Sequence, residues 1–118
     1  MEHFRRDDLE RKVLPGRALQ WAMGRGEAFS PSENMSIGFA HYSAEAGPME
    51  PHQHAEEGIY VIDAKDGWLE WGPAKDQLNE KCDLAGGMLL HVPPEEWHVF
   101  KYKEGGFVDI VFVYAPPI

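Results

Sequence analysis

The sequence predicts an all-β domain, a small antiparallel barrel, and three observations carry that prediction. Apolar and polar residues alternate with a period of two in several short runs, most cleanly in MSIGFAHY at residues 35–42. These runs recur at close, fairly even spacing and are separated by glycine and proline, the pattern of a sandwich or barrel. No segment carries the apolar stripe of an amphipathic helix; RRDDLERK, residues 5–12, has room for one helical turn and reads as a charged arm.

Taken in order, residues 1–15 form that arm, solvated and able to cross to a second subunit. After Pro15-Gly16, RALQWAMG alternates and sets Leu19, Trp21 and Met23 on one face. FSPSEN is a turn cluster. In MSIGFAHY, Met35, Ile37, Phe39 and His41 share one face and Ser36, Gly38, Ala40 and Tyr42 the other. AEAGPMEP is a loop, and GIYVID is a strand that turns at AKDG into WLEW, the return arm of a hairpin. GPAKDQLNEKCDLAGG is turn-rich with room for one short edge strand, and MLLHV, HVFKY and GFVDIVFVYA complete the set.

At 118 residues the chain is one domain, long enough to bury a core without cross-links. Its 43% hydrophobic and 12% aromatic content is that of a globular protein. Cys82 is the single cysteine, so no internal disulfide forms and nothing asks for an oxidising compartment. The charged N-terminus has no apolar run behind it, and no stretch approaches the roughly 20 apolar residues of a membrane span. A net charge of −9 repels phosphate backbones, which excludes nucleic acid as an expected partner. The expectation is a soluble cytoplasmic protein.

The chemistry is concentrated in the histidines. His52 and His54 are one residue apart, so on extended backbone both imidazoles point to the same face and can reach one ion. Glu57 shares parity with Ile59 and Val61; if those face the core, so does the carboxylate, which is costly unless it is paired or binds a cation. Glu56 then faces away, unless a loop kink exchanges the two. Some forty residues later, His98 opens a strand on the same face as Phe100 and Tyr102, the better core face. Three imidazoles and one carboxylate suit Fe, Mn, Ni, Co, Cu or Zn, and fit a Ca or Mg cage poorly.

These residues resemble the cupin superfamily. Its first motif, G(x)5HxH(x)3,4E(x)6G, is met by Gly47, His52, His54, Glu57 and Gly67, with Gly47 one residue close, Glu57 one residue early and Gly67 three late. Its second, G(x)5PxG(x)2H(x)3N, is met by Gly87, Pro93 and His98, with Glu95 in place of the turn glycine and Tyr102 in place of the final Asn. The resemblance spans about residues 34–115. It implies a jelly-roll (double-stranded β-helix) barrel holding a divalent transition metal on His52, His54, Glu57 and His98. It also implies a small oxygenated organic substrate, handled by dioxygenase, isomerase or lyase chemistry, or else a non-catalytic binding module. Small cupins commonly pair, so a homodimer is expected.

Two further residues are candidates for moving a proton at such a site: His41, because an imidazole can exchange a proton near physiological pH, and Tyr102, on the His98 face. For each, a satisfied core residue is the competing reading. His91 has outward parity, and Asp109 either meets solvent or orients a liganding imidazole.

Overall fold

The computed structural model describes residues 1–117. The strands are β1 (Lys12–Leu14), β2 (Arg17–Gly24), β3 (Ser30–Pro31), β4 (Ser36–Ser43), β5 (Glu57–Gly72), β6 (Glu80–Asp83), β7 (Leu89–Val92) and β8 (Trp97–Tyr114). They join in the order β1-β2-β4-β8-β5-β6, with β7 paired to β5 and β3 making a two-residue parallel contact with β2. The ladders that build the barrel are antiparallel, as the alternation predicts. The helical turn expected in the arm is three residues of 3₁₀ helix, Arg6–Asp8.

Two long strands organise the barrel. β5 pairs with the second half of β8 from Glu57↔Tyr114 to Lys65↔Phe107, then with its first half from Gly67↔Tyr102 to Gly72↔Trp97. AKDG is therefore not a hairpin turn, and WLEW continues the same strand as GIYVID. HVFKY and GFVDIVFVYA likewise form one strand. The expected turn is replaced by a register shift at Lys65/Gly67, where Asp66 takes a φ of 50°. Only glycine fits at 67, because a Cβ there would stand 2.5 Å from Val108 Cγ2.

The core fills the space between these walls. Along the first half of β5, Glu57, Ile59 and Val61 are buried while Gly58, Tyr60 and Ile62 are exposed. In β4 the inward face is Ser36, Gly38, Ala40 and Tyr42, and Ile37, Phe39 and His41 lie half-buried on the outside. Gly38 gives up its side chain to Phe112, whose Cζ would lie 2.7 Å from a Cβ there. The Phe112 ring then meets Trp21 edge-on at 5.1 Å.

The outward Phe39 has a cover, which corrects the reading of residues 1–15 as a solvated arm. That segment folds back on its own barrel: Leu9 is buried, and the Arg6 guanidinium lies 4.5 Å above the Phe39 ring. Gln20 Nε2 donates to the carbonyls of Arg6 and Leu9, at 3.0 and 3.4 Å. Arg6 grips Asp109 through two N–H···O bonds of 2.8 Å, and His41 Nδ1 lies 3.0 Å from the same carboxylate. Asp109 thus faces outward and binds the arm.

Burial works against the Asp109 charge, yet hydrogen bonds from Arg6 and His41 outweigh it and hold the carboxyl below its usual range. A depressed carboxyl stabilises the fold above its unfolded pKa, and that contribution is lost as pH falls through the folded value. Asp109→Asn is expected to cost about 1–3 kcal/mol at pH 7, the scale of charged hydrogen bonds. Its stability should also fall less than that of the wild type as pH drops below about 4. Urea titrations at pH 7 and 3 measure both; an equal loss of stability in the two proteins would rule out the pairing.

Candidate metal centre

The three histidines expected to share an ion come together. His52 and His98 exchange main-chain hydrogen bonds, His52 N to His98 O at 3.0 Å and His98 N to His52 O at 2.9 Å. Such a directly opposed antiparallel pair projects both side chains from one face. His54 is placed by the next turn: Glu95, in the position of the second motif's glycine, takes a φ of 64° and donates its N–H to the His54 carbonyl at 2.8 Å. Ring centroids lie 4.3 Å apart for His52–His98, 4.8 Å for His54–His98 and 5.0 Å for His52–His54. One nitrogen from each lies within 4.8 Å of the others, close to the roughly 3–4 Å between donors about 2.1 Å from one ion.

Glu57 completes the group from the first residue of β5. Its Oε1 stands 3.3 Å from His54 Nε2 and 3.6 Å from His98 Nε2, and the residue is 3% exposed. His54 Nδ1 lies 2.7 Å from the Ala55 carbonyl and His98 Nδ1 2.8 Å from the Glu96 carbonyl. A carbonyl only accepts, so each Nδ1 carries a proton, and in its neutral form each ring turns an Nε2 lone pair inward. Those two Nε2 atoms and Glu57 Oε1 are buried without a hydrogen-bond partner among the described residues. Three orphaned acceptors facing one point are costly, and a shared cation removes the cost. The donor set therefore fits a transition metal.

The electrostatics follow from this crowding. Burial, then the neighbouring His98 and His54, push His52 down to about 4, so it stays neutral at physiological pH. Burial opposes charging of His54, but the Glu57 carboxylate and the Ala55 carbonyl outweigh it and raise its pKa. Burial likewise opposes the Glu57 charge, and the His54 and His98 imidazoles outweigh it and lower its pKa.

Other expected participants are elsewhere. Glu56 is exposed and pairs with the outward His91, which leaves Glu57 as the carboxylate at the histidines. His41 lies on the outer face of β4 with Asp109 and is not brought to the cluster. The Tyr102 hydroxyl donates to the Gly47 carbonyl at 3.0 Å and lines a different cavity, about 430 Å³, with Met49, Trp68 and Phe100. The residues that do meet the histidines include two tyrosines that sequence reasoning missed. A cavity of about 160 Å³ opens on His52 and His54 between Tyr42, Tyr114, Trp21 and Phe112. The Tyr114 ring meets His54 edge-on at 4.7 Å. Burial, then the Glu57 charge, push both phenols above the usual tyrosine range, so both stay protonated donors at neutral pH. Parity with Ala40 was the available signal for Tyr42; for Tyr114 it was parity with Ile110 and Phe112.

No protein-family model matches the chain, and no curated protein is similar to it in sequence. Solved structures are similar. The polyketide cyclase RemF from Streptomyces resistomycificus superposes with a TM-score of 0.74 at 20% identity, over 98% of this chain and 79% of that one. Pac13, a Streptomyces nucleoside dehydratase, gives 0.72 at 13% identity, over 100% and 84%. The Bacillus subtilis oxalate decarboxylase, described with Mn(II) centres, gives 0.68 at 18% identity, over 97% of this chain and 29% of the larger protein. With the antiparallel barrel and the inward histidines, these likenesses give the architecture its name: the chain has the cupin fold.

Proposed function

We propose that this chain is a metal-dependent enzyme that moves a proton on a small oxygenated organic molecule, in an isomerase- or lyase-type reaction. One observation carries the reading: three buried, unpartnered acceptor atoms on His54, His98 and Glu57 converge beside a cavity walled by two protonated tyrosines. His52, His54, His98 and Glu57 would hold the ion. Lewis acidity toward a carbonyl or hydroxyl oxygen is what a divalent ion supplies when bound there. The Nδ1–H bonds to Ala55 and Glu96 fix two of the rings before any ligand arrives. Trp21 and Phe112 give the cavity apolar walls, which strengthen charge interactions beside them. Tyr42 and Tyr114, kept protonated by Glu57 and by burial, are the groups placed to give a proton to a leaving or enolic oxygen. The similar structures include a cyclase, a dehydratase and a decarboxylase by name, which supports an enzyme without choosing its reaction.

Protein purified without chelators is expected to carry close to one equivalent of transition metal by elemental analysis. His98→Ala should lose most of it and keep its β-sheet circular dichroism, because burial of side chains such as Ile59, Val61 and Phe100, at about 1.5–3 kcal/mol each, holds the barrel. Glu57→Gln should weaken metal binding about tenfold or more, while Glu56→Gln leaves it unchanged. Full metal content in His98→Ala would sink the assignment of the site.

Turnover in a panel of hydroxy-ketones, oxo acids and β-hydroxy carbonyl compounds, with added Fe(II), Mn(II), Ni(II) or Zn(II), tests the activity. Tyr114→Phe should slow the active pairing by about a hundredfold or more, the scale of general acid catalysis. Oxygen consumption during turnover would replace this reading with a dioxygenase, and metal-bound protein that turns over nothing would leave a binding module.

A homodimer is part of the same proposal. Tyr60 and Leu89, opposite each other on β5 and β7, are 46% and 80% exposed, with Ile62 alongside. An apolar patch on a regular sheet face suits a second copy of the same face. Sedimentation velocity should give twice the chain mass, and Leu89→Asp should shift it to monomer; a monomeric wild type would remove this part.

A further inference from the structure

The arginines of this chain are mostly engaged. Arg6 holds Asp109, Arg11 holds Glu45, Arg25 holds Glu33, and Arg5 is exposed. Arg17 is the exception. It is partly buried, yet its guanidinium has no hydrogen-bond or ion-pair partner among the described residues, in a chain with 20 acidic side chains. A partly buried arginine left without a carboxylate stands out in a chain with acids enough to supply one.

Its position explains the vacancy. Arg17 follows the Pro15-Gly16 turn between β1 and β2, where Gly16 takes a φ of 93°. Gly16 N–H donates to the Ala46 carbonyl at 2.9 Å, and a Cβ on Gly16 would lie 3.1 Å from Met49 Cα. That close approach seats Arg17 against the loop leading to His52. Arg17 lines the cavity of about 160 Å³ together with His52, His54, Tyr42 and Tyr114. It also lines the adjoining cleft of about 290 Å³, bounded by Pro48, Met49, Glu50 and Pro51. It therefore stands where the two spaces meet. Its positive field reaches Tyr42, His54 and Tyr114, opposing the rise of the two phenols and the protonation of His54. The nearby acids are committed elsewhere: Glu50 is exposed and lies 3.8 Å from Lys75, and Glu57 faces the histidines.

We propose that Arg17 is the anion-binding residue of the site, and that the substrate is a small carboxylate whose neighbouring oxo or hydroxy oxygen reaches the histidines. This rests on the metal-enzyme reading for the second contact but not for the first. With a divalent ion balanced only by Glu57, Arg17 leaves the cavity positive, which favours an anionic ligand over a neutral one of equal shape. The planar guanidinium matches a carboxylate through two parallel N–H···O bonds. Trp21 and Phe112 contribute apolar walls, so Arg17 is the group there that separates an acid from its amide.

Saturation-transfer NMR with pyruvate, glycolate and malonate, each beside its primary amide, tests this on metal-free and metal-loaded protein. Wild type is expected to bind at least one of the acids more tightly than its amide, and Arg17→Gln to weaken that acid on the order of tenfold or more. Arg17→Lys should recover part of the loss, and the melting temperatures of both variants should stay within a few degrees of wild type. Acid binding that depends on Arg17 in protein that takes up no metal would fail the metal reading while upholding this one. If no acid in the panel is favoured over its amide, or if Arg17→Gln binds the acids as well as wild type does, the proposal is overturned.

Discussion

One pair of main-chain hydrogen bonds, between His52 and His98, is the constraint on which the centre depends. These residues are far apart along the chain and belong to no common strand, yet they are opposed as in a ladder. That geometry leaves two imidazoles side by side with little freedom. His54 then has to fall on the same side, because one intervening residue of extended chain returns the side chain to the same face. The Glu95 N–H on the His54 carbonyl stops the loop from twisting that third ring away.

The cluster is held by the barrel against its own electrostatics. Two lone pairs and a carboxylate oxygen converge at 3.3–3.6 Å, an arrangement that isolated side chains would relax by rotating. Rotation is blocked on both sides: the Nδ1 atoms are tied to the Ala55 and Glu96 carbonyls, and Glu57 starts a strand paired to both Val92 and Tyr114. A cluster pre-formed in this way would favour a cation by the cost that a cation removes.

The outer face of the same sheet uses charge in a different way. Arg6, Asp109 and His41 form a satisfied group that fastens the N-terminal segment over Phe39 and Gln20. Asp109 on β8 lies opposite His41 on β4, one strand away from the interior in direction only, since Val108 and Ile110 beside it are fully buried. Structural polar chemistry outside and unsatisfied polar chemistry inside are thus separated by a single layer of backbone. The contrast sets the inner group, with its orphaned acceptors, apart from the outer one.

The sequence by itself determined the all-β class, the shared face of His52 and His54, the inward parity of Glu57 with Ile59 and Val61, and the inward turn of His98 beside Phe100. Each follows from the two-residue period of extended backbone, a local property that needs no partner strand. Parity also groups residues correctly in β4, but both of its faces are apolar enough to be core, so period alone could not say which was inside. The tertiary structure decided that Ala40 and Tyr42 face the cavity and that the arm covers Phe39 and His41. It decided, too, that AKDG is a bulge in a long strand, because β8 pairs with β5 on both sides of the register shift at Lys65/Gly67. Which side of a strand meets the core, and whether a polar tetrapeptide turns or runs on, depend on what lies across the sheet; a pattern read along one chain carries no record of its neighbours.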